Sequence, residues 1–210
     1  MELSKIKNDW DWVSYFEETL AEYCGSKYAV ACDSNSNAIR LLLNYLEIKD
    51  QELIIPSRTY VSVPNQIILS GNRPKFVDYE WDGSYKIGNT SIIDAATMLK
   101  KGMYTEGSYT VLSFHFKKIL NIGKGGMILT NNASFVEWAR PMIYDGRHKD
   151  KMYVDDDFEC IGWHMYMTPE DAKKGIEIFN SGKIKDSNPN VGSSKTYKDL
   201  RKQKIFSSYI

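Results

Sequence analysis

Six short apolar segments, several of them separated by helix-like stretches, constrain the fold more than any other feature of this sequence. They are YAVAC (28–32), ELIIP (52–56), KFVD (75–78), SIIDAA (91–96), YTVLSF (109–114) and GMILT (126–130). Short, continuously apolar runs are typical of strands that are buried on both faces of a sheet. Residues such as Val13, Phe16 and Leu20 show helical spacing before the first run. The sequence therefore predicts an α/β fold with a mostly parallel central sheet flanked by helices.

The composition excludes some classes of partner. Apolar residues make up 42% of the 210 residues, which is enough for a substantial core, and the 27 basic residues balance the 27 acidic ones. Neutral charge gives no reason to expect nucleic acid or a charged membrane surface. No apolar run of about 18 residues is present, and MELSKIKNDWDW is not a secretory signal. The three cysteines fit neither a disulfide framework nor a metal site, so we expect a cytoplasmic protein.

The last strongly patterned helix begins near residue 168. Thr168 can cap it, Pro169 fits its first position, and Glu170 and Asp171 suit its positive end. After residue 181 the chain is polar, as in GKIKDSNPNVGSSKTYKDLRKQK, which is typical of a loop or flexible tail. We therefore expect a large domain over residues 1–181 and a C-terminal tail, or the remnant of a small domain, over 182–210.

Polar residues at strand ends are the candidates for a site, because ligands bind open α/β sheets at the carboxyl ends of the strands. DSNSN (33–37) leads into a helix whose N-terminus would suit a phosphate, although serine and asparagine are also ordinary caps. Asp94 ends the fourth strand among apolar residues, where a carboxylate requires a cation or a strong donor, unless it caps a helix.

The fifth strand is followed by three further candidates. Ser113 could donate to a phosphate, and His115 could be a base, a phosphate contact or a packed ring. The packed ring is favoured, because His115 is a single histidine with no ligand partners nearby in the sequence. Lys118 could form a Schiff base in an enclosed site, although a lone lysine is more often a solvated charge. A phosphate-binding helix N-terminus, a buried acid and a lysine are together the parts of a pyridoxal phosphate site. In such a site the acid keeps the ring nitrogen protonated.

A longer stretch matches a known pattern. SFHFKKILNIGKGGMILT (113–130) resembles the SFHxxKxLxxGxGGxxxT signature of the DegT/DnrJ/EryC1/StrS family, which are fold-type I, pyridoxal phosphate-dependent aminotransferases of nucleotide-linked keto-sugars. The lysine of that signature stands five residues after the serine. The resemblance therefore selects Lys118 as the Schiff-base lysine and leaves Lys117 as a spacer.

Further blocks resemble the family in the same order, over 16–43, 56–80 and 92–97. In the phosphate loop, Asn35 and Ser36 replace a glycine and a threonine of the family. By position, Tyr60 would stack on the cofactor ring and Asp94 would pair with its nitrogen. Thr97 replaces a longer glutamine that contacts the ring oxygen.

The resemblance has departures as well. In GWHMYM (162–167), His164 replaces an asparagine that in the family reaches the partner subunit's cofactor phosphate, and Tyr166 replaces an arginine. Family members also carry a small C-terminal domain over the site, and this chain stops about where that domain would begin.

The resemblance implies an aminotransferase that moves an amino group from an amino acid, with L-glutamate as the expected donor, to a nucleotide-linked keto-sugar. It implies pyridoxal 5'-phosphate as cofactor, a homodimer, and Lys118 as the catalytic residue, since dehydratase relatives carry histidine there. The alternatives are a shortened, non-catalytic relative that binds the cofactor or a sugar nucleotide or needs a partner chain, and a generic α/β domain. The cofactor-binding set is expected to be Asn35, Ser36, Tyr60, Asp94, Thr97, Ser113, His115, Lys118 and His164.

Overall fold

The computed structural model describes residues 6–182, 184 and 192–209 of the chain. The strands are β1 (Tyr28–Cys32), β2 (Glu52–Pro56), β3 (Arg73–Val77), β4 (Tyr85–Lys86), β5 (Ile92–Asp94), β6 (Tyr109–Ser113) and β7 (Gly126–Thr130). The α-helices are α1 (Asp11–Cys24), α2 (Asn35–Tyr45), α3 (Ser62–Leu69), α4 (Ala133–Met142) and α5 (Pro169–Asn180). In these described ranges, no helix is both long enough and apolar enough to cross a bilayer.

The central sheet has five strands in the order β1-β7-β6-β5-β4, and β2 pairs with β3 in a separate sheet. The predicted α/β class with a central sheet flanked by helices is confirmed. The strand directions differ from the prediction, because three of the four pairings in the central sheet are antiparallel. No helix separates β6 from β7 or β4 from β5, so the chain turns back directly and pairs antiparallel. The central sheet is therefore mixed, although β1, β5 and β6 all run in one direction.

Helices cover both faces of the central sheet. In register, Val30 of β1 lies opposite Ile128 of β7, which lies opposite Val111 of β6. These side chains belong to a core that includes α2, α3 and α4, whereas their neighbours along the strands pack against α1 and α5. This three-layer arrangement buries both faces of the strands, as their continuous apolar sequences predict.

Two helix starts follow from capping residues. Ser34 Oγ accepts a hydrogen bond from the backbone N–H of Asn37, and Thr168 Oγ1 accepts one from Asp171. Each cap supplies a partner to an otherwise unpaired donor of the first turn. The cap at Ser34 also fixes the N-terminus of α2 at the carboxyl end of β1, where the site is expected.

Residues 192–209 are packed against the rest of the protein, which differs from the loop or flexible tail predicted after residue 181. They form three short 3₁₀ helices, Ser194–Thr196, Leu200–Lys202 and Lys204–Tyr209. Leu200 and Phe206 are buried, and the Phe206 ring lies 5.3 Å from that of Phe76 in β3. Leu200 and Phe206, two apolar residues within this polar stretch, therefore anchor it in the protein interior. The domain boundary at residue 181 stays a prediction.

Candidate active site

A cavity of about 580 Å³ lies where β5 and β6 end, between the central sheet and the segment 192–209. Eight of the nine predicted site residues line it: Asn35, Ser36, Tyr60, Asp94, Thr97, Ser113, His115 and Lys118. Residues from four parts of the sequence therefore meet in one place. Their roles toward a cofactor stay predictions, whereas their convergence is a feature of the fold.

The two adjacent lysines lie in different environments. Lys117 is exposed, and its ammonium lies 5.5 Å from the centre of the Phe116 ring. Lys118 is half-buried, and its Nζ has no hydrogen-bond or ion-pair partner among the described residues. Burial lowers the pKa of the Lys118 amine, and the charge of Asp94 opposes that shift only in part. A free and partly desolvated amine thus faces the cavity, as a nucleophilic lysine requires.

Asp94 is buried at the end of β5 and is held by three donors. Its Oδ1 accepts hydrogen bonds from Asn35 Nδ2 at 3.1 Å and from the backbone N–H of Ala96 at 3.0 Å. Its Oδ2 accepts one from the Tyr85 hydroxyl at 2.7 Å, and that hydroxyl also contacts Thr59 Oγ1. Because a carboxylate can accept about four hydrogen bonds, one position remains for a donor in the cavity.

Asn35 links the start of α2 to the strands. Besides Asp94, its Nδ2 also lies within hydrogen-bond distance of the carbonyl oxygen of Val111, and the side chain is 8% exposed. The asparagine side chain therefore orients Asp94, which leaves only the backbone near Asn35 for the predicted phosphate role. A side chain at Gly126 would overlap the backbone of Ser34 and Asn35, so this close approach of α2 to β7 requires glycine.

The N-termini of α2 and α3 meet at one end of the cavity. Ser36 Oγ donates a hydrogen bond to Ser62 Oγ at 2.6 Å, and both residues line the cavity. Ser113 reaches the same cavity from the end of β6. Helix N-termini and hydroxyl groups are suitable partners for a phosphate, because they offer donors and a positive dipole.

Thr97 is hydrogen-bonded to the protein backbone through its hydroxyl. Its side chain is buried, and its Oγ1 lies 2.9 Å from the carbonyl oxygen of Gly83 and 3.0 Å from that of Gly192. A hydroxyl has one hydrogen to donate, and both carbonyls compete for it. The residue that replaces the family's glutamine therefore ties the C-terminal segment to the cavity.

Tyr60 and His115 lie at the rim of the cavity. Tyr60 is 58% exposed, so a face of its ring is accessible to a ligand. The His115 ring lies against that of its exposed neighbour Phe116, with 4.1 Å between centroids, and its role stays a prediction. Burial, and then the charges of Lys118 and Lys117, lower the pKa of His115 and favour its neutral form.

His164 does not line the cavity. Its side chain is 73% exposed, and its Nδ1 lies 2.8 Å from Asp145 Oδ2 on the surface. Tyr166, which replaces an arginine of the family, packs its ring against Trp10 and Tyr144. The predicted contact of His164 with a partner subunit's cofactor stays a prediction.

Several residues of the cavity were not predicted from the sequence. They are Thr59, Ser62, Trp81, Tyr85, Lys124, Thr196 and Tyr197. Lys124 forms an ion pair with Asp33 at 3.1 Å and lies within the glycine-rich loop before β7, so its proximity to Lys118 could have drawn attention. Tyr85 lies on a two-residue strand, and Tyr197 lies on a polar stretch without periodicity, so neither had a local signal.

Comparison with known proteins identifies the family. A model of the DegT/DnrJ/EryC1/StrS aminotransferase family matches residues 4–102 and 94–177. The GDP-perosamine synthase of Caulobacter vibrioides is 25% identical over 219 residues, which include 84% of this chain and 58% of that enzyme. The UDP-4-amino-4,6-dideoxy-N-acetyl-beta-L-altrosamine transaminase of a Campylobacter jejuni strain is 23% identical over 208 residues, which include 78% of this chain and 55% of that enzyme.

A solved structure supports the fold. The crystal structure of AtS13 from Actinomadura melliaura aligns with a TM-score of 0.69 and 19% identity, covering 81% of this chain and 60% of that one. The chain thus spans less than two thirds of the length of these relatives. The two stretches that match the family model together include most of the sequence and all nine predicted site residues. This chain therefore belongs to the DegT/DnrJ/EryC1/StrS aminotransferase family.

Proposed function

We propose that this protein is a pyridoxal 5'-phosphate-dependent aminotransferase that moves an amino group from an amino acid to a nucleotide-linked keto-sugar. The observation that carries the proposal is one cavity that holds a buried carboxylate, Asp94, and a lysine amine, Lys118, that has no partner among the described residues. The names of the two relatives, a GDP-sugar synthase and a UDP-sugar transaminase, support the class of substrate. We expect L-glutamate as the amino donor.

The residues of the cavity fit this cofactor. Its ring nitrogen requires an acceptor, and Asp94 has one hydrogen-bond position left after its three protein donors. Its aldehyde requires an amine, which Lys118 supplies. Its phosphate requires donors, which Ser36, Ser113 and the two helix N-termini offer. Tyr60 would lie against the ring at the rim.

Each residue then has a chemical role. When bound, pyridoxal phosphate supplies an electron sink for negative charge on the substrate carbon that exchanges its amino group. Asp94 would hold the proton on the ring nitrogen, which strengthens that sink. Lys118 would hold the cofactor through its aldehyde carbon, and its amine would take and return the proton at the substrate carbon. Its lowered pKa favours the unprotonated amine that both steps need.

We also propose that the active form is a homodimer. The loop before His164 exposes large apolar side chains, with Met152 73%, Val154 82% and Ile161 96% accessible. Several large apolar side chains exposed on one loop are typical of a surface that a partner covers. Sedimentation of the purified protein at micromolar concentration should give twice the 24.2 kDa chain mass, and a monomer at all concentrations would contradict this proposal.

Addition of pyridoxal phosphate to the purified protein tests the site. The wild-type protein should develop an absorption band in the visible range as Lys118 becomes attached, and Lys118→Ala should abolish that band. Lys117→Ala is the matched control, because it removes the adjacent but exposed lysine and should keep the band. If the wild-type protein gains no band, or if both variants lose it equally, the proposed cofactor site is wrong.

A cofactor-binding protein without transaminase activity is the second candidate. It is favoured by Thr97, whose hydroxyl is bound to backbone carbonyls, and by Tyr166 in place of an arginine of the family. Addition of L-glutamate to the loaded protein separates the two functions. Loss of the visible band and release of 2-oxoglutarate would support the aminotransferase, whereas a band unchanged by glutamate and other amino acids would support the binding protein.

A further inference from the structure

The C-terminal segment, residues 192–209, is fixed against the loop that precedes β4. The backbone N–H of Gly83 donates to the carbonyl oxygen of Gly192 at 3.1 Å. The backbone N–H of Ser194 donates to the carbonyl oxygen of Trp81, also at 3.1 Å. Thr97 Oγ1 adds its contact with Gly192 from the end of β5. A side chain at Gly192 would overlap Thr97, so the two elements are in close contact. This junction fixes the position of the residues that follow.

A second junction holds the other end of the segment. The backbone N–H of Leu200 donates to the carbonyl oxygen of Ser57 at 2.8 Å, and Asp199 forms a β-bridge with Arg58. Phe206 then packs on Phe76 of β3. Residues 194–199 are therefore held between two anchors, and the part between them lines the cavity through Thr196 and Tyr197.

Tyr197 presents a hydroxyl without a protein partner to the cavity. Its ring packs against Trp81 with 5.7 Å between centroids, and its hydroxyl has no hydrogen-bond partner in the described part of the chain. Burial, followed by the charge of Asp94 and the proximity of Tyr60, raises the pKa of Tyr197 to about 12. The hydroxyl therefore keeps its proton at neutral pH and can donate it.

The hydroxyl groups near Asp94 are not equally available. Tyr85 donates to Asp94 itself, and Thr97 is shared by two carbonyls. The aromatic ring of pyridoxal phosphate carries an oxygen beside its aldehyde, and that oxygen would be buried in the cavity without a donor from Thr97. A buried acceptor is stabilised by each donor that reaches it, and the Tyr197 hydroxyl is a donor that no described protein group uses.

We infer that Tyr197 is a cofactor-binding residue whose hydroxyl donates a hydrogen bond to the ring oxygen of pyridoxal phosphate. The inference rests on the proposed function, since it requires that the cavity binds this cofactor. Thr97 then acts indirectly, because its contact with Gly192 positions the segment that carries Tyr197. The C-terminal segment thereby supplies the contact that the shorter Thr97 side chain does not make.

Measurement of the dissociation constant for pyridoxal phosphate tests this assignment, with Tyr197→Phe against Tyr209→Phe. Both variants remove one hydroxyl from the same segment, but Tyr209 lies under Arg73, away from the residues that line the cavity. Tyr197→Phe should weaken binding about tenfold, as expected for one hydrogen bond, and should shift the visible band. Tyr209→Phe should change neither. Equal binding by Tyr197→Phe and wild type, or an equal loss in both variants, would overturn the assignment.

Hydroxyl-radical footprinting of the wild-type protein gives a second test that needs no variant. Addition of pyridoxal phosphate should protect Tyr197 from oxidation and leave Tyr209 unchanged, as read by mass spectrometry of the peptides. Equal oxidation of Tyr197 with and without bound cofactor would contradict the inference. If the wild-type protein does not bind the cofactor at all, the proposed function fails, whereas binding without a role for Tyr197 overturns only this inference.

Discussion

One wall of the cavity is made by the ends of β5 and β6, and the opposite wall by the C-terminal segment. Asp94 and Ser113 on the first wall belong to strands that are paired within the central sheet and covered by helices on both faces. Tyr197 on the second wall is held by a few hydrogen bonds to loops and by two buried apolar side chains, Leu200 and Phe206.

The difference between the walls indicates how the site can respond to change. Elements with many buried contacts unfold only when the whole protein unfolds. Segments with few buried contacts unfold locally, at a lower free energy. The wall that carries Asp94 and Ser113 should therefore be as stable as the protein, and the wall that carries Tyr197 should open first. Substitutions in the sheet wall should consequently lower the stability of the whole protein, whereas substitutions in the C-terminal wall should have smaller and more local effects.

The largest effect is expected from Gly126→Ala on the sheet side. The added Cβ would overlap the backbone of Ser34 and Asn35, which cannot move without displacing α2 from β7. We expect a loss of about 3 kcal/mol or more in the free energy of unfolding, measured by urea denaturation.

Gly125→Ala is the matched control for this prediction. Its Cβ would meet the flexible ends of the Ile122 and Met167 side chains, which can shift. A loss below about 1.5 kcal/mol is expected there. If the two variants lose equal stability, the close approach of α2 to β7 is not the cause.

A smaller and more local effect is expected from Gly192→Ala on the C-terminal side. The new Cβ would overlap Thr97 and displace the segment from its first anchor. We expect a loss of about 1–2 kcal/mol together with faster hydrogen exchange in residues 192–202. Exchange in β1, β6 and β7 should keep its wild-type rate. Faster exchange throughout the central sheet would show that the two walls are not independent.

The sheet side of the site could be predicted from the sequence because its information is local. Asp94 and Ser113 end apolar runs, and Lys118 stands at a fixed spacing from Ser113, so strand periodicity and motif spacing together place them. Parallel strands then bring their carboxyl ends to one edge, which is where the cavity lies. The two lysines differ in exposure, since Lys117 is exposed and Lys118 is half-buried, although both line the cavity.

The C-terminal side could not be predicted, since its contacts join residues about 100 positions apart. Gly192 meets Gly83 and Thr97, and neither the polar sequence after residue 181 nor the loop before β4 shows a periodic pattern. Of the apolar residues that mark the packing, Leu200 lies between two charged residues, and Phe206 belongs to a two-residue apolar run with Ile205. Sequence composition alone therefore indicates a tail where tertiary contacts form a wall.

The mixed directions of the central sheet were missed for a related reason. Apolar runs identify strands but carry no direction, and β4 is too short to give a signal. The two stretches that match the family model overlap at residues 94–102, which start at the last residue of β5. The alignment with the Caulobacter relative is 219 residues long yet includes only 84% of this 210-residue chain, so that relative has residues within the matched region that lack a counterpart here.

The smallest effect, a pH dependence of stability, sharpens the comparison because Lys118 lines the cavity that the two walls enclose. Burial lowers the pKa of its amine in the folded protein, so between that pKa and the ordinary value of 10.5 the unfolded chain binds more protons. Stability due to this group therefore rises with pH across that window, and below the window the cost of burying the charge is present in full. Lys118→Met should thus stabilise the protein at pH 7 by less than about 1 kcal/mol, since the side chain is partly exposed.

That gain should shrink as the pH approaches 10.5, as measured by urea denaturation of Lys118→Met and wild type at several pH values. Lys117→Met is the control, because an exposed lysine should show no such trend. Displacement of the C-terminal wall by Gly192→Ala should admit water to the amine and reduce the gain from Lys118→Met. If Lys118→Met stabilises the Gly192→Ala protein as much as the wild type, the sheet side alone desolvates Lys118. The C-terminal wall would then position Tyr197 without affecting the lysine.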